Sequence, residues 1–145
     1  MITFFELKKL LDEGCTCALT DGERVVTSRE RGVRPLVELI ASGADYNGWH
    51  AADKIVGKAA ALLYAKLGVA ELYAQTLSVG GLGVCRRFRI AAEYGALTPE
   101  IINRKGDGAC PMELAVADAD DPTAAYEKIC AALERLRREA PETPQ

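Results

Sequence analysis

At 145 residues, with 49% hydrophobic and 27% charged content, the chain is long enough for one soluble domain with a sizeable core. A net charge of −3 exerts no general pull toward nucleic acid or an anionic membrane. Its longest apolar run is broken by lysines and falls short of the ~18 residues a membrane span needs, and the five cysteines form no regular framework, which fits reduced thiols in a cytoplasmic protein.

Residues 3–13 place Phe4, Phe5, Leu7, Leu10 and Leu11 on one face of an amphipathic helix, with Gly14 as its C-cap. No basic segment precedes an apolar core here, so no signal peptide is expected. Residues 15–20 and 24–28 read as two strands joined by a two-residue Asp21-Gly22 turn. Cys15 and Cys17 point the same way on a strand, and the C-x-C spacing lacks a second pair, so small buried side chains are expected rather than a metal or redox site. Arg29, Arg31 and Arg34 then crowd a loop before a helix over 35–41, with Pro35 in its first turn. Arginines beside a helix start suit a phosphate or a carboxylate, and a solvated loop is the competing reading. Residues 42–48 form a turn-rich connection, and Trp49 anchors the entry to the next helix by packing.

His50 to Gly68 reads as one buried helix around which the chain is organised. Its apolar run demands cover on most sides. Its first turns carry Asp53, Lys54 and Lys58, and the two lysines, four apart, share a face near the positive end of the helix dipole. An anion or a carboxylate partner would offset that arrangement.

Residues 69–77 read as an interior strand and 78–88 as a helix weakened by glycines. The Gly80-Gly81-Leu82-Gly83 run matches neither phosphate-binding fingerprint, and close backbone packing explains it better. Residues 90–94 suit another strand, and 100–103 a short strand or extended segment. After the turn over 104–108, Cys110 and Pro111 open a helix of about two turns toward Asp118, with Glu113 near N3. The last helix spans 122–139 with a stripe of Tyr126, Ile129, Cys130, Leu133 and Leu136. Residues 141–145 are expected to fray after a domain over 1–140. A hairpin followed by α/β alternation suggests one mixed sheet with helices on both faces.

Three segments together resemble a small prokaryotic family, the domain of unknown function numbered eighteen ninety-three. They are Arg31-Gly32-Val33-Arg34-Pro35-Leu36, then Ala52-Asp53-Lys54-Ile55-Val56-Gly57-Lys58-Ala59-Ala60-Ala61, then Ile102-Asn103-Arg104 through Cys110-Pro111-Met112-Glu113. The resemblance implies a cytidine-deaminase-like fold, a three-layer α/β/α sandwich around a central mixed sheet. It implies no activity. Zinc deaminases need a His or Cys with Glu two residues on at one helix start, and P-C-x-x-C at the next. Here His50 is followed by Asp53 three residues on, and Ser78-Val79-Gly80-Gly81 stands where the cysteine pair should begin. Cys85 alone cannot supply two ligands, so no metal and no cofactor is expected.

Three functions compete. In the first, a small anionic ligand, a nucleotide among the candidates, sits where helix starts and strand carboxyl ends gather. Lys54, Lys58 and Ser78 would hold it, joined by Arg31, Arg34, Asn103 and Arg104, with Asp53 beside them. In the second, Cys110 is a nucleophile for acyl or sulfur transfer, activated by its helix terminus and by Arg104 or Lys105, with Glu113 orienting or moving protons. The third is a non-catalytic module, a homodimer packing through a helix.

Overall fold

The computed structural model describes residues 1–103 and 105–139. Among them, five strands form one mixed sheet accompanied by six helices. Helix α1 (Phe4–Asp12) starts at Thr3, whose hydroxyl accepts the Glu6 N–H at 3.1 Å, and ends before Gly14. Strands β1 (Cys17–Thr20) and β2 (Val25–Ser28) follow as a hairpin. Its loop is not the two-residue turn expected. Thr20 pairs with Val25, and the Asp21 carboxylate gathers the N–H groups of Glu23 and Arg24 to close a four-residue connection. Helix α2 (Arg34–Ser42) has Pro35 in its first turn.

The organising stretch departs most from expectation. His50 to Gly68 is not one helix but strand β3 (His50–Val56), a break at Gly57, and helix α3 (Lys58–Leu67). Alanine favours helices, but here tertiary context wins. β3 lies in the middle of the sheet between β1 and β4, where Ala51 and Ala52 are fully buried on opposite faces. Small side chains there let helices approach from both sides. The β-branched Ile55-Val56 pair ahead of Gly57 was the local sign of a strand end. Lys54 and Lys58 therefore do not share a helix face, and Asp53 belongs to no helix start.

The chain continues through β4 (Glu71–Ser78), α4 (Val79–Arg87), β5 (Ala91–Thr98), α5 (Pro111–Ala115) and α6 (Pro122–Glu139). β5 is longer than expected, α5 is shorter, and residues 100–103 contribute only an isolated bridge between Ile102 and Ala109. In α6 the buried residues are Ala125, Ile129 and Ala132, while Leu136 is exposed. The expected tail over 141–145 lies outside the described residues.

Strand order is β2-β1-β3-β4-β5. β1 is antiparallel to both neighbours, while β3, β4 and β5 are parallel. So β2, β3, β4 and β5 all run the same way. Alternation along the strands separates two apolar clusters. Leu7 and Leu11 of α1 cover Ala18 and Ala52 on one face. The larger cluster joins Leu19, Ala51 and Leu72 of the sheet to α2, α3, α4 and α6. Tyr64, Leu62 and Leu63 of α3 are its centre, fully buried.

Candidate functional site

Because four strands share a direction, their carboxyl ends and the starts of α2, α3 and α4 gather at one end of the sheet. This is the ligand edge of an open α/β sheet. Arg31 and Arg34 stand there exposed, in the loop after β2 and at the start of α2. Lys54 lies near the end of β3, two residues beyond Ala52 and so on the α1 face. Lys58 opens α3, and its ammonium donates to the Ala117 carbonyl at 3.1 Å.

The start of α3 is already occupied. Glu113 reaches from α5 and accepts the Lys58 N–H at 2.8 Å on one oxygen and the Ala59 N–H at 2.7 Å on the other. This satisfies two N–H groups that α3 cannot satisfy itself and places a negative charge at the positive end of its dipole. Gly57 makes the contact sterically available, since a Cβ there would run into the Glu113 carboxylate and Ile101. The carboxylate partner that the lysine-rich stretch called for is thus supplied within the chain. With both oxygens committed, Glu113 faces α3 rather than Cys110.

Ser78 is buried and caps α4, its hydroxyl accepting the Gly81 N–H at 2.9 Å. Gly81 is the close-packing glycine, because a Cβ there would lie 3.1 Å from the Val56 carbonyl oxygen and 3.2 Å from the Gly57 carbonyl carbon. Asn103 is spent locally. Its amide donates to the Asp107 carboxylate at 2.9 Å and its oxygen accepts the Asp107 N–H. Arg104 lies outside the described residues. Cys110 stands at the N-cap of α5 without a capping bond and packs against the main core. His50, the one imidazole in the chain, begins β3 at the other end of the sheet.

Asp53 sits apart from these groups. It projects from β3 toward α3, and its carboxylate accepts the Tyr64 hydroxyl at 2.7 Å. On one continuous helix these two residues, eleven apart, would be separated by ~16 Å. Part of Asp53 reaches the surface, but dense packing around the carboxyl pushes its pKa up to about 7, against the pull of hydrogen bonds from Tyr64 and the Ile55 and Lys54 backbone. Cys17, beside it in the β1–β3 register, is buried, and burial together with the Asp53 charge pushes its thiol up to about 12. Cys15 is buried as well. Sequence reasoning missed the Asp53–Tyr64 pair entirely, since no local spacing connects a strand residue to the second turn of the next helix.

A surface cavity of about 700 Å³ opens at the opposite end of the sheet and touches none of the expected site residues. Asp21, Arg24, Tyr46, Asn47 and Trp49 line it, with the Arg24 guanidinium 5.2 Å from the Trp49 ring. Trp49 is 5% exposed and meets Tyr46 edge-on. Among the described residues, no three His, Cys, Asp or Glu side chains are placed to hold a metal ion, and no helix is long and apolar enough to cross a membrane.

Comparisons with known proteins agree with this architecture. The family model described as a domain of unknown function, DUF1893, matches residues 6–133. The crystal structure of a DUF1893 family protein from Thermotoga maritima is similar at 28% identity and a TM-score of 0.76, over 89% of this chain and 86% of that one. No curated protein matches the chain.

Proposed function

The chain belongs to the DUF1893 family, and from that premise we propose that it binds a small anionic ligand at the carboxyl ends of β2, β3 and β4. The ligand class is phosphate- or carboxylate-bearing compounds, nucleotides among them. The observation that carries this reading is the group of cations without salt-bridge partners at that edge. Among the described residues, Arg31, Arg34, Lys54 and Lys58 take part in no ion pair. Glu113 fills the start of α3, so the ligand's acid would lie over the start of α2, where Arg31 and Arg34 can offer bidentate contacts. Lys54 would serve a ligand that extends to the α1 face.

We also read the architecture as a cytidine-deaminase-like three-layer α/β/α sandwich in a cytoplasmic protein. The strand order, with α1 opposite the other sheet-packing helices, supports this. Zinc deamination is not part of the reading. None of the helix starts at Arg34, Lys58 and Val79 carries the His or Cys ligands that chemistry needs.

The test is a thermal-shift panel of inorganic phosphate, nucleotides, sugar phosphates and dicarboxylates on wild type, Arg34→Ala and Lys54→Ala. A ligand at ~100 times its dissociation constant adds about 2.7 kcal/mol, a rise of roughly 5 °C or more for a domain of this size. The reading expects a shift that Arg34→Ala removes. No shift from any compound, or one that both variants retain, overturns it.

A further inference from the structure

The two edges of the sheet are unlike. β2 is four residues long and runs into Arg29-Glu30-Arg31, the short, charged ending by which proteins protect an open edge. β5, at the other edge, is eight residues long and has almost none of this protection. Its sequence, AAEYGALT, holds one charge, and Lys8 of α1 already engages that charge, Glu93. Six of the eight residues are exposed, with Tyr94 at 41% and Leu97 at 45%. Among the described residues, no other segment pairs with its outer side.

We propose that this edge is the contact between two copies of the chain, β5 pairing antiparallel with β5 of a second copy to make one ten-stranded sheet. A two-fold axis normal to the sheet makes the contact self-complementary. Such an axis brings residues of equal parity opposite one another, so the centred registers place it at Tyr94 or at Gly95. In the first, Glu93 faces Gly95 of the second copy; in the second it faces Leu97. Neither sets like charges against each other, which would oppose the pairing. In the first register the other facing pairs are Ala91 with Leu97, Ala92 with Ala96 and Tyr94 with its own copy; in the second they are Ala92 with Thr98, Tyr94 with Ala96 and Gly95 with its own copy, all uncharged.

Area argues for a reversible dimer. A strand of this length is ~26 Å long and a sheet ~10 Å thick, so the edge alone presents about 260 Å², well under the ~800 Å² per partner of a standard interface. The balance must come from the groups that flank the edge. α4 packs over β5 on one face, and the same two-fold carries α4 of the second copy onto that face beside it. Leu97, the register partner of Leu77, adds exposed apolar surface at this edge.

Sedimentation velocity over a range of concentrations tests this on wild type, on Ala96→Lys/Leu97→Lys, and on the β2-edge control Val25→Lys. A wild-type dimer fraction that rises with concentration, is abolished by the β5 variant and survives in the control is the expected result. Amide exchange on wild type reads the same contact without a substitution: protection of β5 should increase with protein concentration. A wild-type monomer throughout overturns the proposal, including one that instead captures an extended peptide on β5. So does a dimer that the β5 variant retains, or β5 exchange that ignores concentration.

Discussion

Two carboxylates flank helix α3, and their surroundings treat them oppositely. Glu113 meets the helix at its start, where it accepts two N–H groups at the positive end of the dipole. Asp53 meets it a turn and a half further on, closely packed, with the Tyr64 hydroxyl as its one side-chain donor beside backbone N–H groups, and is held up to about 7. An acid's behaviour near a helix depends on which donors it can reach and how much water remains, not on proximity to the helix. The first carboxylate stabilises the fold by capping two N–H groups; the second stabilises it best without its charge.

The largest test of that contrast is the pH dependence of stability. Asp53 titrates near 7 when folded against 3.8 when unfolded. The folded state therefore binds the extra proton between those values, and stability is full below pH ~4 and lost as pH rises toward ~7. Every tenfold difference in proton affinity between the two states corresponds to about 1.4 kcal/mol, so the loss reaches at most about 4 kcal/mol. Urea unfolding at a series of pH values should show this slope in wild type, and Asp53→Asn should flatten it. A wild-type profile rising through the same window would show that Asp53 is not held above its unfolded value.

Removing the favoured carboxylate should come next. Glu113→Ala leaves two N–H groups at the start of α3 without acceptors, at a cost of about 2–3 kcal/mol. Glu113→Gln should recover part of this, because its single carbonyl oxygen can still accept. Chemical denaturation of both variants measures the difference, and a loss under about 0.5 kcal/mol would show water replacing the side chain freely.

Tyr64→Phe sharpens the comparison from the other side. It removes the one side-chain donor to Asp53, at roughly 1.5 kcal/mol, and pushes the carboxyl still higher, so the loss of stability should extend to higher pH than in wild type. An unchanged midpoint in the pH titration would mean that the hydroxyl does not reach the carboxylate in solution. The smallest effect is expected at α4, where a neutral cap does the work of Glu113. Ser78→Ala should cost about 1 kcal/mol, read by the same denaturation experiment, with little dependence on pH.

Local chemistry determined much of this from the sequence alone. Thr3, Gly14, Pro35, Ser78 and Pro111 mark helix ends by hydrogen-bonding groups or backbone limits that act within a few residues, and the helices begin or end beside them. The buried C-x-C pair and the mixed α/β order followed from side-chain size and alternation in the same way. Tertiary structure decided the rest. An alanine-rich run with a lysine every few residues satisfies helical spacing as well as any strand, and only a place between β1 and β4 made residues 50–56 a strand. That one change separated Asp53 and Lys54 from Lys58, brought Asp53 onto Tyr64, and left Gly57 as the opening through which Glu113 reaches α3. Such contacts join residues 11 to 55 positions apart. No spacing rule reaches that far, because the energy deciding them comes from burial between elements rather than from either element itself.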